Sequence, residues 1–314
     1  MTDLNIVCLA GGVGGAKLAH GLAQIVPPER LTIIVNTGDD FQHLGLTICP
    51  DLDTVMYALA GCANAETGWG RAGESFRAME EVRRLGGPDW FRLGDLDLAT
   101  HLTRSHLLAQ GQTLTAVTRH LCRQLGIQPD VLPMSNQPAP TFIQSGTQQL
   151  PFQTWFVAER WQPPVDAVVL PDMVQATAQV AQKLEKADVV VLAPSNPFVS
   201  LDPILNVYPI REMVMDLPQA VVAVSPIVGG QAVKGPAAKM MQERGLPVSA
   251  TAVRDYFGDL LDGFVYDVQD AGAENPPAGL TLCVDTMMHN DADRRRLAQD
   301  VLSLAQRIIT ATAV

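Results

Sequence analysis

The stretch LNIVCLAGGVGGAKLAHGL, residues 4–22, decides the fold, because an apolar β-branched run ends at a loop that holds four glycines and a lysine. Residues 4–10 are predicted to form a strand buried on both faces, and residues 16–25 a helix. Glycines between a strand and a helix let backbone N–H groups approach an anion at the helix N-terminus. The candidate phosphate-binding residues are Gly11, Gly12, Gly14, Gly15 and Lys17.

This glycine loop matches neither of the two standard nucleotide-binding fingerprints. A dinucleotide fingerprint requires a third glycine where Lys17 stands. The P-loop pattern requires Gly-Lys-Ser/Thr, whereas Lys17 follows Ala16 and precedes Leu18. The loop therefore indicates phosphate binding in general, and a tight strand-to-helix turn without a ligand stays open as the alternative.

The rest of the chain repeats the alternation of strand and helix. Further strands are predicted at 31–36, 166–170, 188–194, 220–226 and 263–268, and further helices at 175–187, 231–245 and 292–312. The pattern is typical of an α/β fold with a Rossmann-like, mostly parallel sheet and helices on both faces. Residues 52–126 lack strand signals and have helical spacing, so we expect a helical insertion after the second strand within a single domain, 1–314.

Composition excludes several classes of function. The 314 residues carry a formal charge of -11, so we expect no nucleic-acid partner. No apolar run approaches the length of a membrane span, and the N-terminus lacks the pattern of a secretion signal. The five cysteines are widely spaced without a Cys-x-x-Cys pair, which is typical of reduced thiols. We therefore expect a cytoplasmic protein that does not act at a membrane.

A dense group of acids follows the second predicted strand, in NTGDDFQHLGLTICPDLDT, residues 36–54. Ligands bind at the carboxyl ends of strands in open α/β sheets. In an acidic protein that binds phosphate, carboxylates at this edge are suited to Mg²⁺, which takes carboxylate and phosphate oxygens. Helix capping by the last two aspartates is the alternative, and it is compatible with a site. The candidates are Asp39, Asp40, His43, Asp51 and Asp53.

Four shorter segments supply further candidates. LAPSNP (192–197) and VSPIVGG (224–230) each begin where a predicted strand ends. LGDLDLATHLTR (93–104) places acid, histidine and arginine on one helix face, and GWG (68–70) offers an aromatic ring for stacking. Ordinary turns, a solvated helix face and core packing are the alternatives. The binding candidates are Trp69, Asp95, His101, Arg104, Ser195, Asn196, Gly229 and Gly230, together with Lys234, which lies four residues after VSPIVGG.

Taken together, the segments resemble one protein family. LAGGVGGAKLAHGL, NTGDDFQHLGLTICPDLDTVMYALAG, WFRLGDLDLATHLTRS, VVLAPSNPFVSLDPIL and VVAVSPIVGGQAVKGPAAKMM resemble the 2-phospho-L-lactate transferases of coenzyme F420 biosynthesis over about residues 5–310. The resemblance implies transfer of a phospho-three-carbon-acid group from a guanosine diphosphate-linked donor to the ribityl hydroxyl of the deazaflavin Fo, with release of GMP. It also implies a Rossmann-like fold, Mg²⁺ and a homodimer.

The resemblance implies that the acids of GDD and PDLD bind metal and Fo, without dividing these roles among them. Asp40 together with Asp51 or Asp53 is the expected Mg²⁺ site, and an aspartate left free is the candidate acceptor of the hydroxyl proton. Two positions depart from the family pattern. Leu96 stands where some relatives have an arginine that contacts Fo, and Asn136 stands where an aspartate is common.

Two other functions are open to a chain of this pattern. One is a non-catalytic regulator that binds a nucleotide sugar, as in the gluconeogenesis-factor-like proteins, although the GDDFQHLG and CPDLDT segments of this chain differ from theirs. The other is an NAD-dependent oxidoreductase, which the missing third glycine disfavours. The three-carbon acid of the transferase donor is open between phospholactate, phosphoenolpyruvate and phosphoglycerate.

Overall fold

The computed structural model describes residues 3–272, 277 and 279–312. The strands are β1 (Ile6–Ala10), β2 (Leu31–Val35), β3 (Phe41–His43), β4 (Leu46–Ile48), β5 (Asp130–Pro133), β6 (Phe142–Ser145), β7 (Gln148–Pro151), β8 (Ala167–Val169), β9 (Val189–Leu192), β10 (Ala220–Val224), β11 (Ile227–Val228), β12 (Gln231–Ala232), β13 (Gly263–Asp267) and β14 (Leu280–Val284). The helices are α1 (Gly12–Ala23), α2 (Pro50–Leu59), α3 (Arg77–Arg84), α4 (Asp95–Ala109), α5 (Leu114–Gln124), α6 (Ala178–Glu185), α7 (Asp202–Leu205), α8 (Ile210–Asp216), α9 (Ala237–Glu243), α10 (Ala250–Phe257) and α11 (Asp291–Thr312).

Seven parallel strands form the central sheet in the order β14-β13-β10-β9-β1-β2-β5. Every residue of β1, β2, β9, β10 and β13 is buried, as expected for β-branched runs that are covered on both faces. Helices α1, α2, α5 and α11 contribute to the core on one face, and α6, α8, α9 and α10 contribute to the core on the other. The predicted Rossmann-like α/β fold is confirmed.

Five of the six predicted strands lie in the central sheet. The strand predicted at 166–170 is present as β8, but its placement in the central sheet is wrong. Strand β8 pairs with β6 in a separate antiparallel sheet, and its residues are only half-buried. Strands β5 and β14 were not predicted. Both are edge strands of the central sheet, and β14 is half-buried or exposed along its length, so neither has the continuous apolar run of a central strand.

The helix boundaries differ from the predicted ones where glycine and proline occur. Helix α1 begins at Gly12, four residues before the predicted start at residue 16, so the glycines of the loop form its first turn. Residues 231–236 are a hairpin strand and a turn, and α9 begins only at Ala237. Within the predicted insertion, 52–126, the structure has α3, α4, α5 and all but the start of α2. Helix α2 packs directly on α1, and the insertion and single-domain boundaries stay predictions.

Gly14 and Gly21 let α1 approach backbone on two sides. A Cβ on Gly14 would collide with the carbonyl oxygen of Pro194, and one on Gly21 would collide with the carbonyl oxygen of Arg294. Pro194 follows β9, and Arg294 lies in α11, so the two glycines hold α1 against the sheet edge and the C-terminal helix.

Among the described residues, no helix combines the length and the apolar composition that a membrane span requires.

Replacing Gly14 by alanine lowers the free energy of unfolding by about 3 kcal/mol, because a backbone carbonyl cannot move aside as a flexible side chain can. The matched variant Gly12→Ala meets no neighbouring atom but has a φ of +59°, so its cost is about 1 kcal/mol. Urea unfolding of both variants measures the difference. Equal stability of Gly14→Ala and the natural protein would contradict the close approach.

Candidate active site

A cleft of about 740 Å³ lies over the carboxyl ends of the central strands. Its wall includes Gly11 after β1, Asp39 after β2, Ser195 after β9, Ser225 after β10 and Thr286 after β14. Open α/β sheets bind ligands at this edge, since the loops that follow parallel strands converge there. The cleft is therefore the candidate active site.

Protein acceptors already use two of the N–H groups of the glycine loop. Gly11 N–H donates to Ser195 Oγ at 3.2 Å, and Gly12 N–H donates to Asp51 Oδ1 at 2.8 Å. Gly11, Gly12 and Gly14 line the cleft, whereas Gly15 packs against Ser195 and Ala10. The loop thus positions Asp51 and Ser195 at the cleft, and these two glycine N–H groups are not free to bind phosphate.

Asp39 and Asp51 form a pair of buried carboxylates joined by Asn36. The Nδ2 group of Asn36 donates to Asp39 Oδ1 at 3.0 Å and to Asp51 Oδ2 at 2.9 Å, and both aspartates line the cleft. Burial raises the pKa of Asp51 to about 6, although hydrogen bonds from Asn36 and Gly12 oppose the shift. Burial and the charge of Asp51 raise the pKa of Asp39 well above its ordinary value. Two carboxylates so placed are suited to share a cation.

Asp53 points away from this pair and into a buried ion pair. Arg104 donates to both of its carboxylate oxygens, through Nη1 at 3.0 Å and through Nη2 in a shorter contact. Arg104 and Asp53 are both buried, and His101 Nδ1 lies 3.6 Å from Asp53 Oδ2. The arginine thus already neutralises Asp53, which lines the cleft without being free to give a metal its full charge.

His101 and Asp97 complete this side of the cleft. His101 Nε2 lies 3.3 Å from Asp97 Oδ1, and Tyr57 Oη donates to the same oxygen at 2.6 Å. Burial opposes ionisation of Asp97, but contacts with His101, Tyr57 and Arg104 hold the pKa of its carboxyl below the ordinary value. Ligand atoms of Asp53, Asp97 and His101 lie within 4.8 Å of one another, a spacing that a metal ion could bridge. The guanidinium of Arg104 beside them disfavours a cation there.

Three predicted candidates lie in structural contacts outside the cleft wall. Asp40 is half-buried and its side chain contacts Cys49, and burial raises the pKa of its carboxyl well above the ordinary value. His43 is buried within an aromatic cluster, with ring centroids 5.3 Å from Trp90 and 5.9 Å from Phe91. Asp95 accepts from Ala78 N–H at 3.1 Å and from the hydroxyl of Ser75, so it joins α4 to the start of α3.

Gly229 and Gly230 also lie outside the cleft wall. They form the turn of the β11–β12 hairpin, with φ values of +57° and +72° that favour glycine. Gly229 N–H donates to Asp270 Oδ2 at 3.1 Å. Their binding role stays a prediction, and the structure gives them a role in the turn.

Four other predicted residues do line the cleft. Lys17 Nζ donates to the Met288 carbonyl at 2.8 Å, and its pKa is lowered by burial and by the charges of Arg294 and Lys234. Lys234 donates to the Thr67 carbonyl, which joins the loop after β12 to the loop that carries Trp69. Asn196 Oδ1 accepts from Phe198 N–H at 3.0 Å, so the side chain caps the following turn.

The structure adds cleft residues that were not predicted. The rings of Phe152 and Phe156 stack at 5.4 Å between centroids with an interplanar angle of 9°, and Trp161 lies on the same cleft wall. Asn36, which joins the two carboxylates, directly follows β2, and that position could have marked it. The aromatic residues belong to a segment, 152–161, whose sequence carries no nucleotide-binding signal.

Comparison with known proteins identifies the family. The family model for 2-phospho-L-lactate transferase CofD matches residues 6–298. The chain belongs to this family. It is 41% identical to the phosphoenolpyruvate transferase of Streptomyces griseus, over 97% of this chain and 99% of that protein. It is 37% identical to the 2-phospho-L-lactate transferase of Methanospirillum hungatei, over 95% of this chain and 99% of that protein.

Among solved structures, the chain is similar to protein BH3568 from Bacillus halodurans, with a TM-score of 0.64 and 17% identity. The similarity covers 96% of this chain and 100% of that protein, and at this identity it shows the fold alone. Membership of the CofD family confirms that the protein is a transferase enzyme of coenzyme F420 biosynthesis.

Proposed function

We propose that this CofD family protein transfers a phospho-three-carbon-acid group from a guanosine diphosphate-linked donor to the ribityl hydroxyl of the deazaflavin Fo, in a reaction that requires Mg²⁺. The hydroxyl oxygen releases its proton to solvent and forms a bond to the phosphorus that carries the acid, the bond from that phosphorus to the bridging oxygen breaks, and GMP leaves with the bridging oxygen. The observation that carries the proposal is the Asp39–Asp51 pair on the wall of a cleft of about 740 Å³.

The donor set favours Asp39 and Asp51 as the residues that hold Mg²⁺, in place of Asp40 with Asp51 or Asp53. Asp39 and Asp51 both line the cleft, and the described residues give neither carboxylate an ion-pair partner. Asp53 is neutralised by Arg104, and Asp40 lies outside the cleft wall. When bound there, Mg²⁺ would neutralise charge on the donor diphosphate and align the reacting groups.

Other residues of the cleft orient the two carboxylates, bind phosphate and contact the deazaflavin ring. Asn36 fixes the orientation of both metal-binding carboxylates through its Nδ2 group. Lys17 and Lys234 bring positive charge to the cleft wall, where they bind phosphate oxygens. The stacked rings of Phe152 and Phe156 offer a flat apolar surface for the deazaflavin ring. Phosphoryl transfer needs mainly this positioning and charge neutralisation.

The proposed reaction is tested with purified protein, Fo, Mg²⁺ and each of the three guanylated donors in turn. The relatives include phosphoenolpyruvate and 2-phospho-L-lactate transferases, so the donors that carry these two acids are offered first. The expected result is one GMP released for each Fo consumed, with turnover lost in EDTA. A protein that binds nucleotide sugars but neither binds Fo in calorimetry nor releases GMP would instead be the regulator.

The pH dependence of stability tests the charge state of Asp51. Its pKa is about 6 in the fold and near 3.8 when exposed, so the folded state binds the proton more tightly. Protonated Asp51 therefore contributes to the free energy of unfolding below about pH 4. This contribution, at most about 3 kcal/mol, is lost as the pH rises to about 6. In EDTA, Asp51→Asn should gain stability relative to the natural protein across this range.

Urea unfolding of both proteins at a series of pH values measures the gain. Asparagine at this position also loses a hydrogen bond, which shifts the free energy of unfolding by the same amount at every pH. The test therefore compares how steeply the free energy of unfolding changes with pH in the two proteins. Addition of Mg²⁺ at neutral pH should stabilise the natural protein and leave Asp51→Asn nearly unchanged. A pH-independent difference between the two proteins would contradict the raised pKa.

A further inference from the structure

Asp97 and His101 form a pair of polar groups on the cleft wall that the phosphate chemistry does not use. Both lie on α4, with side-chain exposures of 13% and 2%, and both line the cleft. Burial of two polar side chains at the edge of a ligand cleft is costly unless each has a hydrogen-bond partner. Their partners therefore indicate what the cleft binds there.

Arg104 fixes the position of the proton on His101. Arg104 Nη1 lies 3.0 Å from His101 Nδ1. A guanidinium has only donors, so Nδ1 must be the acceptor and the ring proton resides on Nε2. This Nε2–H group lies 3.3 Å from Asp97 Oδ1 but has no well-aligned acceptor among the described residues. His101 thus presents a buried donor whose bond is incomplete.

Tyr57 fixes the orientation of Asp97. The 2.6 Å hydrogen bond from Tyr57 Oη and the contact with His101 both fall on Oδ1. Across the described residues, Asp97 Oδ2 receives no hydrogen bond. The carboxylate therefore keeps one oxygen able to accept a hydrogen bond from a ligand.

Asp97 is not required to cap its own helix. Glu74 accepts from Leu96 N–H at 2.7 Å and from Asp97 N–H at 2.8 Å, so one carboxylate already satisfies two donors in the first turn of α4. An acidic side chain in the first turn of a helix often serves this purpose. Because Glu74 serves it here, Asp97 is free to face Tyr57, His101 and the cleft.

We propose that Asp97 and His101 together bind a hydroxyl group of the acceptor's polyol chain, an inference that rests on the proposed function. The hydroxyl donates to Asp97 Oδ2 and accepts from His101 Nε2–H. Tyr57 and Arg104 are positioning residues, since each fixes one member of the pair through the contacts above. On this proposal the pair binds the polyol chain of the acceptor and not its ring.

The chemistry of the pair favours a hydroxyl over an ion. A phosphate would meet the carboxylates of Asp97 and Asp53. A metal ion needs a ring lone pair from histidine, but Nδ1 is turned to the guanidinium of Arg104 and Nε2 carries the proton. A neutral group that both donates and accepts satisfies both members, and an alcohol is the simplest such group.

Binding measurements with two deazaflavins test the proposal. One is Fo, and the other carries a methyl group in place of the ribityl chain. Asp97→Asn converts Oδ2 into a donor while it keeps the shape, so it should weaken Fo binding by about 10- to 100-fold and leave the methyl analogue within about twofold. Tyr57→Phe, a milder change, should weaken Fo binding by a few-fold through loss of orientation. His106→Gln, on the exposed side of α4, is the matched control.

The titrations are run by fluorescence in EDTA and again in Mg²⁺. Equal weakening of both deazaflavins by Asp97→Asn, or no weakening of either, overturns the proposal. An effect of Asp97→Asn that appears only with Mg²⁺ also overturns it and assigns the pair to a metal. If the natural protein binds neither deazaflavin, the proposed function itself fails. If it binds both equally, only the hydroxyl proposal fails.

Discussion

Replacing Asp39 or Asp51 by asparagine lowers the rate of GMP release by about 100- to 1,000-fold, because each change removes a charged ligand from the proposed Mg²⁺ site. Both carboxylates line the cleft, and both receive a hydrogen bond from Asn36. The loss should appear in kcat more than in the KM for Fo, since the ion acts on developing charge. Steady-state assays at saturating Mg²⁺ measure both constants.

Asp40→Asn separates the two assignments of the metal site. The sequence expects Asp40 to bind the ion, whereas the geometry expects a much smaller effect there, because Asp40 lies outside the cleft wall. Asp216→Asn, at the exposed end of α8, controls for the change of charge alone. Loss of turnover in Asp40→Asn together with normal turnover in Asp39→Asn would contradict the assignment to Asp39 and Asp51.

Arg104→Met lowers the free energy of unfolding by about 3–5 kcal/mol, a large part of the roughly 5–15 kcal/mol that stabilises an ordinary protein. The change leaves the carboxylate of Asp53 buried without its charged partner, and it removes the donor that orients His101. The cost comes from the uncompensated charge rather than from lost packing, because methionine fills much of the same volume. Urea unfolding and the soluble yield measure the effect.

The double variant Arg104→Met, Asp53→Leu should recover most of the lost stability, since it replaces a buried ion pair by apolar groups. Arg84→Met is the matched control, because Arg84 pairs with Glu81 on the exposed surface of α3 and its removal should change stability little. If Arg104→Met is as stable as the natural protein, the ion pair does not hold this wall of the cleft.

The fold could be predicted because the central strands carry their signal in consecutive residues. Strands such as β9, VVVL, are buried on both faces and therefore read as unbroken apolar runs. The edge strand β14 is covered less completely, so its sequence has no such run. Strand β8 shows the opposite error, because a short apolar run also occurs where a small antiparallel sheet packs against the main body.

The acidic segment could be predicted as a site, but the roles of its members could not. Asp51 and Asp53 are two residues apart on α2, and side chains at that spacing point in different directions around a helix. One meets Gly12 and Asn36, while the other meets Arg104, which is 51 residues away in the sequence. Only the packing of α4 against α2 decides which carboxylate stays free.

The glycine loop shows the same limit. Its composition predicts close approach of a backbone, and the structure has that approach at Gly14 with a protein carbonyl as the partner. Gly12 N–H is likewise used by Asp51. A pattern of glycines indicates that another group must approach the backbone of the loop closely. Whether that group is a phosphate or another part of the protein depends on the loops that follow distant strands.

Binding of Mn²⁺, used as a paramagnetic substitute for Mg²⁺, tests the site at Asp39 and Asp51 most directly. Electron paramagnetic resonance of free Mn²⁺ is recorded as protein is added, in the presence of guanosine diphosphate. We predict that the natural protein and Asp40→Asn bind one ion per chain, and that Asp39→Asn and Asp51→Asn bind it at least about tenfold more weakly. Equal binding of Mn²⁺ by all four proteins would contradict the site.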